Sequence, residues 1–193
     1  MVVMANLPDE RSPKTDSRNS LSRRRWLRIS ATGLAVAVTP AWASLTTTRE
    51  VAFDHLHTGE KLSLTYFRDG SYVDDALTSI NHILRDFRTG DVHPIDGRLL
   101  DLLYTVRTAI GSDAPYQVIS GYRSPVTNEK LQNASSGVAT NSLHMQGMAI
   151  DVRLSDTRTS QLREAAAGLK IGGVGYYAAS NFVHLDIGRP RQW

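Results

Sequence analysis

The chain has 193 residues, 41% hydrophobic and 21% charged, which fits one soluble globular domain or two small ones. It contains no cysteine, which excludes a disulfide framework, a zinc–thiolate site and a cysteine nucleophile. Seven of the 22 basic and three of the 19 acidic residues lie in residues 1–43; the remaining 15 basic and 16 acidic residues give a net charge of −1. The overall charge therefore gives no support to nucleic-acid binding.

The first 43 residues resemble an export signal. A polar start leads into the basic stretch SRRRWLRIS and then into the apolar run ATGLAVAVTPAWAS. The apolar run is about a dozen residues, shorter than the roughly 20 needed to span a bilayer. The order of these regions and the ending Ala41-Trp42-Ala43 predict a secretory signal cleaved after Ala43. A basic nucleic-acid arm or an uncleaved anchor is the alternative.

The stretch Ser22–Arg28 is similar to the twin-arginine export motif, with Trp26 where that motif usually has phenylalanine. Export by that pathway would deliver a folded protein to the periplasm. Residues 44–193 would then form a single mature domain with no membrane span.

The first half of this domain shows one strand pattern and two helical patterns. Residues 49–70 alternate around a turn at 57–60, which predicts a β-hairpin. Apolar spacing predicts a helix through Phe87, with Gly90 beyond its end, and a second helix that stops at Gly111. The apolar positions are Ala76, Leu77, Ile80, Ile83, Leu84 and Phe87 in the first helix, and Leu99, Leu102, Leu103, Val106 and Ile110 in the second.

The second half alternates short strands with turns and helices. YQVIS, AIDVRL, GVGYY and NFVHLDIG are predicted strands, and the last two are close enough in sequence to pair antiparallel. A helix is expected to open at Thr127–Asn128, and TSQLREAAAGLK to form another before Gly172-Gly173. The sequence therefore predicts an α+β fold, with helices packed on one side of a small antiparallel sheet.

Three residues of this half form a candidate metal site. His144 lies in the loop that leads to Asp151 in the AIDVRL strand, and Gly147 allows that loop to fold back. If the strand with His184 is a neighbour, the three side chains converge. Two imidazoles and one carboxylate are a usual catalytic zinc set with one position open for water, although ligand type does not decide between zinc, iron and manganese. His55 and His57 share a strand face but have no evident carboxylate partner.

Three stretches carry a resemblance to a known family: SGYRSPVTN, SLHMQGMAID and GGVGYYAASNFVHLDIGRPRQW. They resemble the YcbK-like murein endopeptidases, within the wider group of zinc D-Ala-D-Ala carboxypeptidases and hedgehog-fold peptidases. The resemblance implies one Zn2+ ion bound by His144, Asp151 and His184, with Arg123 near the scissile bond. It also implies a peptidase that cuts D-amino-acid cross-links between peptidoglycan stem peptides.

One departure from that family concerns the general base. Many relatives have an acidic residue three positions before the last histidine ligand or a histidine two positions before it, where this chain has Asn181 and Phe182. Asp186 shares a strand face with His184, so it is expected either to accept the proton of the attacking water or to orient His184. The missing base leaves a non-catalytic cell-wall binding module open, and a carboxypeptidase that trims terminal D-alanine is a second alternative.

Overall fold

The computed structural model describes residues 48–134 and 137–193, so the predicted export signal and its cleavage point lie outside the described residues. The strands are β1 (Arg49–His55), β2 (Lys61–Arg68), β3 (Ser71–Tyr72), β4 (Tyr116–Ser120), β5 (Ala149–Leu154), β6 (Gly173–Tyr177), β7 (Phe182–Asp186) and β8 (Arg191–Gln192). The helices are α1 (Asp74–Ile83), α2 (Gly97–Ile110), α3 (Pro125–Ala134) and α4 (Thr159–Leu169), with a short 3-10 helix at Leu143–Gln146.

All eight strands of the described residues join one sheet in the order β3-β2-β1-β4-β5-β7-β6-β8. The hairpin β1–β2, the neighbouring pair β6–β7 and the α+β class are confirmed. The sheet is mixed, because β1 pairs parallel with β4 and β6 pairs parallel with β8. A parallel neighbour requires a long crossover, and α1 and α2 lie in the crossover to β4.

Burial follows the periodicity of each element. β4 alternates buried and half-buried residues, whereas β5, in the middle of the sheet, is buried at five of its six positions. Helix α1 packs on β2, α2 on β1 and α4, and α4 on β5, β6 and β7. Their apolar side chains form one core, which holds the site strands β5 and β7 rigidly in place.

Two helix boundaries differ from the predicted ones. Helix α1 ends at Ile83, four residues before Phe87, because the chain turns at Asp86, whose carbonyl accepts from the Gly90 amide at 2.7 Å. Helix α3 begins at Pro125, since proline suits the first helical position and the Ser124 hydroxyl accepts from the Thr127 amide at 3.3 Å. In the described part of the chain, no helix is both long and apolar enough to cross a membrane.

Candidate metal centre

Two central strands and one short helix bring the three predicted ligand residues together. Asp151 on β5 lies directly opposite His184 on β7 in the antiparallel register, so their side chains are cross-strand neighbours. His144 lies on the 3-10 helix, which ends at Gly147 with φ 65° and turns the chain into β5. All three residues are buried: His144 is 2% exposed, Asp151 7% and His184 9%.

The donor atoms of this cluster form a small triangle. His144 Nε2 lies 3.1 Å from His184 Nδ1 and 3.3 Å from Asp151 Oδ1, and His184 Nδ1 lies 2.9 Å from Asp151 Oδ1. Ligands at about 2.0–2.1 Å from a tetrahedral ion lie about 3.3 Å from one another. The spacing therefore fits three ligands of a single metal ion, and no other group of this kind is found in the described residues.

The other nitrogen of each imidazole is already engaged. His144 Nδ1 lies 2.8 Å from the Gly121 carbonyl oxygen, which can only accept, so this nitrogen carries the proton. His184 Nε2 lies 3.0 Å from Asp186 Oδ2 and donates to it in the same way. When both rings are neutral, as metal binding requires, the two remaining nitrogens present lone pairs toward Asp151 Oδ1, and a bound cation would relieve the repulsion among these acceptors.

The electrostatics of the cluster also favour a cation. Burial lowers the pKa of His184, but its hydrogen bonds to Asp151 and Asp186 outweigh burial and raise that pKa to about 9. Burial raises the pKa of Asp151, but the two histidines outweigh it and hold that pKa well below the ordinary range. The imidazole of His184 and the carboxylate of Asp151 thus stabilise each other's charged forms, and a metal cation would take the place of the proton between them.

Asp186 lies on the far side of His184 from the donor triangle. It is 0% exposed, and its Oδ2 accepts from His184 Nε2 at 3.0 Å and from Arg191 Nη2 at 2.7 Å. Its Oδ1 accepts from the amides of Gly173 and Gly188 and from Arg191 Nη1. Burial raises the pKa of Asp186, but these hydrogen bonds outweigh it and hold that pKa well below its usual range. Both oxygens of the Asp186 carboxylate thus already accept hydrogen bonds from other protein groups.

The donor triangle opens into a cleft of about 460 Å³. Asp151 is the only acidic residue among the described residues that line it. The Arg123 side chain, 11% exposed, enters the cleft wall with Nη2 3.7 Å from Asp151 Oδ2. Arg123 Nε–H is buried and has no hydrogen-bond partner in the described residues. The cleft thus combines a metal-ligand set with a fixed cation.

Asn181 and Phe182 do not supply a proton acceptor to the cleft. The Asn181 amide oxygen accepts from the Thr159 hydroxyl at 3.1 Å, at the start of α4. The Phe182 ring stacks on Tyr177 at 4.5 Å, and both rings line the cleft. These two positions are therefore structural. In the other predicted histidine pair, the buried His55 Nδ1 accepts from the backbone amide of His57, and neither histidine belongs to a group of three or more potential metal ligands among the described residues.

Asp86 is a site residue that the sequence pattern does not reveal. This carboxylate is 1% exposed and accepts from the Ser124 amide at 2.9 Å and the Ser124 hydroxyl at 2.7 Å. It thereby fixes the loop that carries Arg123 and Gly121, and the Arg123 amide in turn donates to the His144 carbonyl. The sequence does not predict this role of Asp86, because an isolated aspartate after a helix is usually a turn residue.

Comparisons with known proteins identify the family of this chain. A family model described as peptidoglycan L,D-endopeptidase MepK matches residues 43–193. The Escherichia coli K12 protein of that name is 41% identical over 176 residues, which cover 89% of this chain and 97% of the relative. A Haemophilus influenzae protein, described as "probable peptidoglycan L,D-endopeptidase MepK", is 36% identical over 177 residues, covering 89% and 95%. The chain therefore belongs to the MepK family of M15 peptidases.

Proposed function

We propose that this protein is a metal-dependent endopeptidase that hydrolyses L,D bonds in the peptide cross-links of peptidoglycan and so remodels the cell wall. The observation that carries the proposal is the triangle of His144, Asp151 and His184 donor atoms at the cleft. Membership of a family whose relatives are named for this activity supports the substrate class. Peptidoglycan lies outside the cytoplasmic membrane, so the site of action is extracytoplasmic.

We propose zinc as the metal, one ion per chain. Two imidazole nitrogens and one carboxylate oxygen form a usual catalytic zinc set, and the other nitrogen of each ring has a hydrogen-bond partner of its own. Zinc held there supplies the Lewis acidity that lowers the pKa of water and polarises a peptide carbonyl. His144, Asp151 and His184 would hold the ion, and Gly121 and Asp186 would keep the imidazoles turned toward it.

Arg123 completes the catalytic machinery in this proposal. Its guanidinium is fixed in the cleft wall, with Nη2 3.7 Å from Asp151 Oδ2. It donates to the carbonyl oxygen of the scissile bond as negative charge develops there during attack by water. The buried wall positions the guanidinium before substrate arrives, so little reorganisation is needed in the transition state.

Asp186 acts in this scheme as an orienting residue and not as the base. Its two oxygens receive five donors, and His184 stands between it and the cleft. A general base must come within hydrogen-bond distance of the attacking water, and the packing around Asp186 does not favour that role. Its contact with His184 Nε2 supports the alternative, in which it fixes the ring and its tautomer.

Asp186→Asn separates the two roles. The two glycine amides and Arg191 Nη1 hold the Asn carbonyl in the place of Oδ1, so the NH2 group would face His184 Nε2. The Asn NH2 group and His184 Nε2–H would then both be donors facing each other. This favours the His184 tautomer that carries its proton on Nδ1, the nitrogen proposed to bind the metal. We expect metal affinity to fall about 10–100-fold, with much of kcat restored at saturating zinc. Normal affinity with kcat lowered by about 10²–10⁴-fold would instead identify a base.

A digestion experiment tests the activity. The purified, zinc-loaded protein is incubated with muropeptide dimers joined by an L,D bond and, separately, with dimers joined by a D,D bond. The products are identified by mass spectrometry. We expect L,D-linked dimers to give monomers. Loss of a single terminal D-alanine from intact dimers would identify a carboxypeptidase, and binding without any product would identify a non-catalytic module.

We also propose that residues 1–43 direct twin-arginine export to the periplasm and are removed after Ala43. The arginine run, the short apolar stretch and the small residues before Ser44 support this. The double change Arg23→Lys, Arg24→Lys, with Arg25 kept, is expected to leave the precursor in the cytoplasm. Immunoblots of cell fractions measure this, and normal delivery in cells lacking the twin-arginine translocase would contradict the pathway.

A further inference from the structure

The last strand places a second arginine behind the metal centre. β8 pairs parallel with β6 so that Arg191 lies opposite Gly173. From there the guanidinium reaches Asp186 through two parallel hydrogen bonds, Nη1 to Oδ1 at 3.0 Å and Nη2 to Oδ2 at 2.7 Å. Such a bidentate pair fixes the carboxylate plane as well as its charge. Arg191, Asp186 and His184 thus form a continuous chain that ends at a ligand nitrogen.

Two glycines of β6 make room for this arrangement. A methyl group on Gly173 would overlap both the Asp186 carboxylate and the Arg191 guanidinium. A methyl group on Gly175 would meet the Trp193 indole at 2.7 Å. That indole lies 4.9 Å from the Arg191 guanidinium and 5.2 Å from the His184 ring. The strand end is therefore packed closely against the ligand His184.

We propose that Arg191 is a positioning residue of the metal centre, which acts on His184 through Asp186. The proposal rests on the metal-dependent function proposed above. Without the guanidinium, His184 would be the one remaining donor to Asp186 Oδ2 among the described residues. The buried carboxylate would also lose the cation that offsets its charge. The imidazole would then be held in place less firmly, and metal affinity would fall although no ligand had changed.

Metal affinity is the direct readout, because it does not depend on the substrate. Arg191→Met is expected to weaken zinc binding about 10–100-fold in a competition with a chromogenic chelator. The absorption spectrum of the cobalt-substituted protein, which reports ligand geometry, is expected to change. Arg191→Lys restores the charge without the planar fork and is expected to recover only part of the affinity. The matched control is Arg189→Met at an exposed position two residues away, which should bind zinc normally.

A second variant tests the same contact without removing the arginine. Gly173→Ala pushes a methyl group into the Arg191–Asp186 pair and is expected to weaken zinc binding in the same direction as Arg191→Met. Its matched control is Gly168→Ala, because a methyl group there meets nothing within 4 Å. Circular dichroism of each full-length variant shows whether it is folded, so Arg191→Lys decides the question if Arg191→Met does not fold.

Each outcome has a defined meaning. Wild-type zinc affinity and an unchanged cobalt spectrum in folded Arg191→Met and Gly173→Ala would overturn the positioning role, with the proposed function intact. A raised KM with unchanged zinc affinity would also overturn it, because Arg191 would then contact the substrate. Failure of the wild-type protein to bind zinc would instead reject the metal-dependent function on which the proposal rests.

Discussion

Replacement of His144 or His184 by alanine is expected to abolish stoichiometric zinc binding and all peptidase activity. Each change leaves two protein ligands in place of three, and two ligands do not retain a catalytic zinc ion at physiological metal levels. The apolar core lies outside the triangle, so most of the secondary structure should remain. Elemental analysis of the dialysed variants, digestion of L,D-linked dimers and circular dichroism measure the three quantities.

The matched control for these variants is His82→Ala. His82 is exposed and lies at the end of α1, where its nearest charged partner is Glu60 at 3.7 Å. This variant should bind one zinc ion and keep normal activity, which separates loss of a ligand from loss of any histidine. Full zinc content in both His144→Ala and His184→Ala would reject the proposed site outright.

Much of the fold could be predicted because most elements carry a clear periodicity. The alternation in residues 49–70 and the helical spacing of Leu99, Leu102, Leu103 and Val106 predict elements that the structure contains. The strands β3 and β8 have two residues each, too few for alternation to be recognised. The parallel pairing of β1 with β4 depends on how the core packs α1 and α2, which no local pattern encodes.

The site was predictable only as far as its chemistry is local. His144, Gly147 and Asp151 lie within eight residues, and a neighbouring strand was enough to suggest His184 as their partner. The contacts of Asp86 with Ser124 span 38 positions, and the pair of Arg191 with Asp186 requires β8 to dock beside β6. Polar pairs of this kind form only when the tertiary fold brings distant residues together, so the sequence pattern alone does not identify them.

Arg123 is the residue for which a structural and a catalytic role predict different measurements. A purely structural arginine would hold its loop through contacts with protein atoms, such as Asn128 Oδ1 at 3.4 Å. That distance is at the long end of the hydrogen-bond range, and the buried Nε–H finds no partner in the described residues. Burial also lowers the pKa of Arg123, so the protein bears a desolvation cost to keep this cation in the cleft wall.

We expect Arg123→Ala to lower kcat by about 10²–10³-fold, the loss caused by removing one donor to a developing oxyanion. Zinc content should stay near one per chain, because Arg123 faces Asp151 Oδ2 and the proposed ligand atom is Oδ1. Arg123→Lys should recover part of kcat, since charge remains but the planar fork is lost. Arg68→Ala, at an exposed position on β2, is the control and should behave as wild type. A lower melting temperature with unchanged kcat in Arg123→Ala would assign the arginine a structural role instead.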